Sequence, residues 1–149
     1  MSFKSLFALL LLATAGSVSA QSAPQCPRLP EQAGDLQWSV LRTDSVLLCR
    51  ALRKDDGGEA FALTLSKKSP FKPNSRLREE AGLLHGEQIW WYRAEIAGRP
   101  EELARETLTK LGPDRMVHVS ILTEDSAALK RYQGIVGDLR FEQDGFAAR

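Results

Sequence analysis

The fold is decided by residues 115–141, which read RMVHVSILTEDSAALKRYQGIVGDLRF. Val117, Val119 and Ile121 occupy every second position, which is the period of a strand that buries one face. The run ends at Thr123, and the spacing of the apolar residues then changes from two to three and four. A strand followed by a helix is therefore the unit that the remainder of the chain must accommodate.

Thr123 is predicted as the N-cap of the helix, and Glu124 and Asp125 place negative charge on its first turn, where the macrodipole is positive. The apolar residues that recur at helical spacing are Leu129, Tyr132, Val136 and Leu139. We therefore predict a helix from Asp125 to Asp138 that packs one apolar stripe against the sheet, with Phe141 closing the unit.

The N-terminus has the features of an export signal. Lys4 supplies the positive charge, residues 6–15 are an apolar run, and Val18-Ser19-Ala20 is a cleavage site of small residues. The apolar run is too short to span a bilayer. The prediction is a signal peptide over residues 1–20 and a periplasmic or secreted protein with no transmembrane segment in the mature chain.

The mature chain is predicted to be electrically neutral. Lys4 is the single charged residue of the first twenty, which leaves 19 basic and 19 acidic residues. Binding to nucleic acid requires a basic excess, so nucleic acid is excluded as a partner. The net charge favours no other partner.

The two cysteines of the chain, Cys26 and Cys49, both follow the predicted cleavage site. In an oxidising compartment this favours a disulfide, which would attach the Pro-rich segment 21–35 to a strand. A redox pair is the alternative, but the C-x-x-C spacing that tunes a thiol pKa is lacking.

The region from residue 36 to residue 141 is predicted to be one domain. Alternating and continuous apolar runs predict strands over residues 36–41, 46–52, 60–65, 77–84 and 88–96. Turn residues predict turns at 43–45, 54–59 and 85–86. Residues 66–75 are predicted to be an irregular loop, and residues 142–149 a flexible polar tail.

Residues 99–111 carry conflicting signals. Pro100 at a first-turn position, Glu101 behind it and the stop signal Gly112-Pro113 favour a helix. Alternating residues from Leu103 to Leu111 favour a strand instead, which would turn at Gly112 directly into the strand that starts at Arg115. The local signals alone favour the helix.

The order of elements, closing with Gly137-Asp138-Leu139-Arg140-Phe141, resembles the PsbP-like family of small α/β/α sandwich domains. In that family a helix followed by a short apolar strand ends the chain, and the region before the last long strand is its hairpin partner. The resemblance therefore implies a strand over residues 103–111. It also implies a binding or assembly protein without catalytic residues, so no site residue is carried over to this chain.

Catalytic and metal centres have little support in the sequence. There are two histidines, and no nucleotide-binding, nucleophile-elbow or zinc-protease motif occurs. We predict no cofactor and no metal. His85 beside Gly86 is interpreted as a turn residue, and His118 as a partly exposed strand residue on the face opposite the buried valines. A catalytic base at His118 is the alternative.

Two surface features remain as candidates for binding. The first is a cluster of cations without an intervening acid, and the second is an aromatic strand in which alternate residues face opposite sides. The candidate surface comprises Lys67, Lys68, Phe71, Lys72, Arg76, Arg78, Trp90, Trp91 and Arg93. The alternatives without a binding role are a solvated loop for the cations and core packing for the tryptophans.

The sequence thus predicts an α+β fold, an antiparallel sheet of five to seven strands packed by a C-terminal helix. The function it favours is an exported, non-catalytic binding or accessory protein whose partner is another extracytoplasmic protein or an anionic envelope component. The alternatives are a small inhibitor or immunity protein directed at a secreted enzyme, and a hydrolase that uses His118 with nearby carboxylates.

Overall fold

The structure of the protein, a computed structural model, describes residues 24–94, 96–99 and 101–142. The predicted signal peptide and residues 143–149 of the predicted tail lie outside them. The strands are β1 (Leu36–Arg42), β2 (Val46–Arg53), β3 (Glu59–Ser66), β4 (Arg78–Leu84), β5 (Glu87–Arg93), β6 (Leu103–Gly112) and β7 (Arg115–Thr123), and the helix is α1 (Ser126–Gly137). Short 3-10 turns occur at Glu31–Ala33 and Ser75–Leu77.

The strands form one antiparallel sheet in the order β1-β2-β3-β7-β6-β5-β4. β1 to β3 and β4 to β7 are two meanders, joined where β3 pairs with β7. The chain must therefore cross from β3, near the middle of the sheet, to β4 at its edge. Four strand spacings separate these two strands, a distance of about 19 Å. The predicted α+β class, with an antiparallel sheet and a C-terminal helix, is confirmed.

One face of the sheet is covered by α1. Val117, Val119 and Ile121 are all at most 2% exposed and point toward the helix. The predicted helical stripe is also buried, and Ile135 belongs to it. The core that these residues share with β2, β3 and β5 includes Leu47, Cys49, Phe61, Leu63, Trp91, Leu129, Tyr132, Val136 and Leu139. The alternation read from the sequence therefore assigned the buried face of β7 correctly.

The start of α1 differs from the prediction. Asp125 is the N-cap, and its carboxylate accepts the backbone N–H of Ala127 at 2.8 Å. Thr123 lies two residues earlier, where its hydroxyl accepts the N–H of Asp125 at 3.1 Å. Both residue types can cap a helix. Thr123 is still the last residue of β7, and the helix is capped instead by Asp125, whose backbone is extended.

Residues 103–112 form strand β6 and not the helix that the local signals favour. β6 pairs with β7 from Leu103 opposite Thr123 to Lys110 opposite Met116, and Gly112 lies opposite Arg115. Pro113 and Asp114 form the connecting turn. Pairing along a buried strand outweighs helix propensities that differ by only fractions of a kcal/mol per residue.

β5 and β6 pair over a short length, Tyr92 with Glu106 and Arg93 with Arg105. Beyond this point the hydroxyl of Thr107, which is 1% exposed, donates to the carbonyl of Trp90 at 2.8 Å. A side chain thus satisfies a buried carbonyl where no strand-to-strand hydrogen bond is made. β5 is correspondingly shorter than predicted and ends at Arg93 instead of residue 96.

The predicted disulfide joins Cys26 to Cys49, with the two Cα atoms 5.8 Å apart. It fastens the N-terminal segment to β2, and the indole of Trp38 donates to the carbonyl of Pro27 at 2.8 Å. A backbone bridge between Arg28 and Arg140 connects this segment to the chain that follows α1. A disulfide of this kind is typical of extracytoplasmic proteins. Within the described residues, no helix has the length and apolar character needed to cross a membrane.

Candidate binding surface

The sheet has a second face, opposite α1, which we call the open face. Since Val117 and Val119 point toward the helix, their neighbour His118 points away from it. His118 pairs with Thr64 of β3 and with Leu108 of β6, so these two residues lie on the open face as well. The open-face residues of β5, β6 and β7 include Trp90, Tyr92, Glu106, Leu108, Lys110, Met116, His118 and Ser120.

The connection from β3 to β4 contains the cluster of cations noted in the sequence, and we call residues 67–78 the basic segment. Because it leaves the middle of the sheet and must reach the edge, it has to pass β7, β6 and β5. Phe71, in this segment, contacts open-face residues of both β7 and β5. The strand order therefore requires the crossing, and the contacts of Phe71 show that it runs over the open face.

Phe71 attaches the basic segment to the sheet. Its ring stacks on the imidazole of His118 with centroids 4.9 Å apart and an interplanar angle of 14°, and meets Tyr92 edge-on at 6.1 Å. The hydroxyl of Ser69 accepts the N–H of Phe71 at 3.2 Å, and Asn74 caps the short turn that follows by accepting the N–H of Arg76 at 3.1 Å. The two ring contacts hold the segment against the sheet, and the two hydrogen bonds fix the backbone within the segment.

The cations of the basic segment are exposed and uncompensated. Within the described residues, none of Lys67, Lys68, Lys72, Arg76 and Arg78 forms an ion pair with a carboxylate. Elsewhere six arginines are paired with carboxylates, in the pairs Arg50–Glu59, Arg53–Asp56, Arg93–Glu79, Arg99–Glu102, Arg105–Glu80 and Arg131–Asp35. Among the described residues Arg28, Lys130 and Arg140 are also exposed and without an ion pair, but they lie outside this segment, which gathers five such cations within residues 67–78.

Lys110 extends this surface and was not identified from the sequence. It is exposed on the open face of β6, opposite Met116. Met116 in turn pairs with Ser66, the residue that precedes the basic segment. Two strand spacings place Lys110 about 10 Å from Ser66. No sequence signal could have found it, because the two residues are brought together by the pairing of β3, β7 and β6.

The two neighbouring tryptophans have opposite positions. Trp90 lies on the open face, is 38% exposed, and has the guanidinium of Arg78 4.7 Å from its ring centroid, a cation–π contact. Trp91 is 1% exposed in the core, so its place in the candidate surface was wrong. Arg93 is exposed but lies on the helix side, where its guanidinium is 3.8 Å from Glu79. Trp90 therefore belongs to the surface of Phe71 and Arg78, and Trp91 and Arg93 do not.

His118 has a carboxylate neighbour. Its Nε2 lies 3.1 Å from Oε1 of Glu106, a contact between β7 and β6 on the open face. A catalytic base also needs a nucleophile or water within hydrogen-bond reach and access for a substrate. Within the described residues no hydroxyl is hydrogen-bonded to this imidazole, and Phe71 covers one of its faces. His85 is a turn residue as predicted, with a φ of 52°.

A second charged group lies on the helix side of the sheet. Arg105 is 9% exposed and donates two hydrogen bonds of 2.9 Å to the two carboxylate oxygens of Glu80, to which Gln133 of α1 also donates at 3.3 Å. The hydrogen bond from Arg105 lowers the pKa of Glu80 below its ordinary value of 4.5, and the carboxylate raises the pKa of Arg105. This arrangement ties β4, β6 and α1 together, so the role of Arg105 and Glu80 is structural.

The lowered pKa of Glu80 gives a stability prediction. Because the folded-state value lies below the unfolded one, the contribution of Glu80 is fully present above about pH 4.5 and is lost as the pH falls through the folded-state value. Glu80→Gln is therefore expected to lower the free energy of unfolding at neutral pH, by no more than about 1 kcal/mol because the carboxylate is partly exposed. Urea denaturation of the variant and of the wild type at neutral pH and near pH 3 measures this loss. The difference in unfolding free energy between the two proteins should be smaller at the acid pH.

Glu79→Gln is the matched control. Glu79 lies 3.8 Å from Arg93 and 4.0 Å from Arg105, beyond hydrogen-bond distance, so its substitution should have a smaller effect at both pH values. Equal effects of the two substitutions, or a Glu80→Gln effect that is independent of pH, would contradict the role assigned to the hydrogen bonds of Arg105.

Comparison with family models, with curated proteins and with solved structures finds no match to this chain. The resemblance to the PsbP-like family therefore stays a prediction. The arguments about function below rest on the described residues alone.

Proposed function

We propose that the protein is an exported, non-catalytic binding or accessory module that contacts an anionic partner in the cell envelope, through the basic segment and the adjoining open face. The observation that carries the proposal is the uncompensated charge of this surface. Six arginines elsewhere are paired with carboxylates, whereas the five cations of the basic segment are exposed, lie within residues 67–78 and have no carboxylate partner among the described residues. Such a surface creates a local positive field although the mature chain is neutral.

The exposed indole of Trp90 supports the same proposal. Charges at the rim of an interface mainly change the rate of encounter, whereas aromatic residues and arginines supply most of the affinity. Arg78 and Trp90 form such a pair beside the lysines. The proposal thus gives the lysines the role of attracting the partner and gives Trp90 the role of anchoring it.

The alternatives have less support in the same contacts. An inhibitor or immunity protein needs a protruding anchor on a rigid loop, but Phe71, the apolar residue of the basic segment that would fill this role, faces its own sheet. A hydrolase needs the imidazole of His118 to reach a substrate, but Phe71 is stacked on it. Both contacts favour a binding module over the inhibitor and the enzyme.

Charge reversal of the basic segment is expected to weaken binding without unfolding the protein. The variant is Lys67→Glu, Lys68→Glu and Lys72→Glu, and all three side chains are exposed and without an ion pair. Capture of envelope components by the exported protein, measured at about 0.1 M salt and at about 1 M salt, is expected to be reduced by the variant and by the higher salt, since the Debye length falls from about 10 Å to about 3 Å.

The matched control reverses three exposed cations on the helix side of the molecule, Arg28→Glu, Lys130→Glu and Arg140→Glu. It changes the net charge by the same amount and should leave capture unchanged. If the two triple variants behave alike, or if the first folds normally and captures the same components with unchanged salt dependence, the basic segment is a solvated connection and the proposal is wrong.

A further inference from the structure

The cations of the surface are mostly lysines. Lys110 on β6 adds a fourth lysine to Lys67, Lys68 and Lys72, against two arginines, Arg76 and Arg78, and all six are exposed. Lysine is depleted in protein–protein interfaces, where arginine is enriched. Clusters of four to eight lysines and arginines that need no fixed geometry are instead typical of surfaces that bind anionic lipid headgroups. The composition therefore favours a bilayer over an acidic protein as the partner.

The apolar residues beside these cations fit the same partner. Leu83 of β4 is 58% exposed, and it lies on the open face because it pairs with Gln88, which precedes Trp90 by two residues. Trp90 and Leu83 are thus diagonal neighbours across β4 and β5, close enough for their side chains to touch. Tryptophan is the side chain that best occupies the boundary between headgroups and acyl chains, because its ring is apolar and its N–H is polar.

We infer that the anionic partner of the proposed function is the headgroup layer of a phospholipid bilayer, with the lysines facing the phosphates and Trp90 and Leu83 entering the interface. Stable attachment of a peripheral protein requires two signals, such as a polybasic patch together with an apolar insertion. The open face supplies both within one surface. Arg78, stacked on the ring of Trp90, links the charged part to the apolar part.

The test uses the exported protein and two kinds of vesicle, phosphatidylcholine alone and phosphatidylcholine mixed with phosphatidylglycerol. Flotation should recover the protein with the mixed vesicles and not with phosphatidylcholine alone. The triple lysine reversal of the basic segment should reduce partitioning by at least about a hundredfold, since the loss of each basic residue costs about fivefold near an anionic surface and the added carboxylates are repelled by it. The control triple Arg28→Glu, Lys130→Glu and Arg140→Glu should retain binding.

Tryptophan fluorescence reports the insertion itself. Binding to mixed vesicles should shift the emission to shorter wavelength, and Trp90→Phe should abolish that shift, because Trp91 is already buried and Trp38 is fixed by its hydrogen bond to Pro27. A shift that survives in Trp90→Phe would place the contact elsewhere and overturn the assignment.

The outcomes separate this inference from the function on which it rests. Failure to bind the mixed vesicles, or equal binding to both kinds of vesicle, overturns the bilayer inference. If the lysine reversal nevertheless abolishes capture of an envelope protein, the proposed function stands with a protein partner. If the reversal changes neither vesicle binding nor capture, the inference and the proposed function both fail.

Discussion

Val136→Asp is expected to unfold the protein. Val136 is 0% exposed, on the side of α1 that packs against the sheet, in a core shared with β2, β3, β5 and β7. An aspartate there would bury a carboxylate among apolar side chains with no cation to pair with it. The expected loss is more than about 4 kcal/mol, which is comparable to the whole stability of a domain of this size.

Lys130→Asp is the control for this prediction. Lys130 is an exposed residue of the same helix. Aspartate has a lower helix propensity than lysine and about the same as valine, so propensity can lower only the stability of the control, and a larger loss in Val136→Asp must come from burial. Thermal unfolding followed by far-ultraviolet circular dichroism should show a folded Lys130→Asp protein with a melting temperature close to that of the wild type. Equal melting temperatures for the two variants would mean that the buried face of α1 was assigned wrongly.

The parts of the fold that could be predicted are those in which one sequence period decides the structure. Val117, Val119 and Ile121 define the buried face of β7 by alternation alone, and Leu129 and Tyr132 define that of α1 by helical spacing. β6 could not be decided in this way, because its residues satisfy both periods. Its pairing partner, β7, lies on the other side of a turn and selects the strand.

The candidate surface could be predicted only in part, because its geometry depends on strand order. The sequence identified the basic segment and Trp90, but the crossing from β3 to β4 places them together on the open face. The same crossing brings Phe71 onto His118, residues 47 positions apart in the chain. Whether Trp90 or Trp91 is exposed follows only from knowing which face α1 covers.

The charged pair on the helix side shows the same dependence. Arg105 and Glu80 are 25 residues apart in the chain and are joined by the packing of β4, β6 and α1. In the sequence Glu80 directly follows Glu79 and is one of several acidic residues that occur in neighbouring pairs. Nothing in its local sequence distinguishes a carboxylate that accepts hydrogen bonds from a buried arginine.

Loss of the disulfide is expected to have the second largest effect. Cys26→Ala should lower the free energy of unfolding by about 3 kcal/mol, because the bond joins residues 23 apart and restricts the unfolded chain. Cys49→Ala should cost at least as much, within a range of about 2–5 kcal/mol, because it also removes a sulfur that is 0% exposed and leaves a cavity.

Urea denaturation of both variants measures the loss in the free energy of unfolding. The control is the wild type unfolded in the presence of dithiothreitol, because reduction removes the cross-link without replacing any side chain in the core. The reduced wild type should therefore match Cys26→Ala and be more stable than Cys49→Ala. Thiol labelling of the denatured, non-reduced protein should find no free cysteine, because Cys26 and Cys49 are bonded to each other. Two labelled cysteines per chain, or a stability that is unaffected by reduction, would show that the bond does not hold the N-terminal segment against β2.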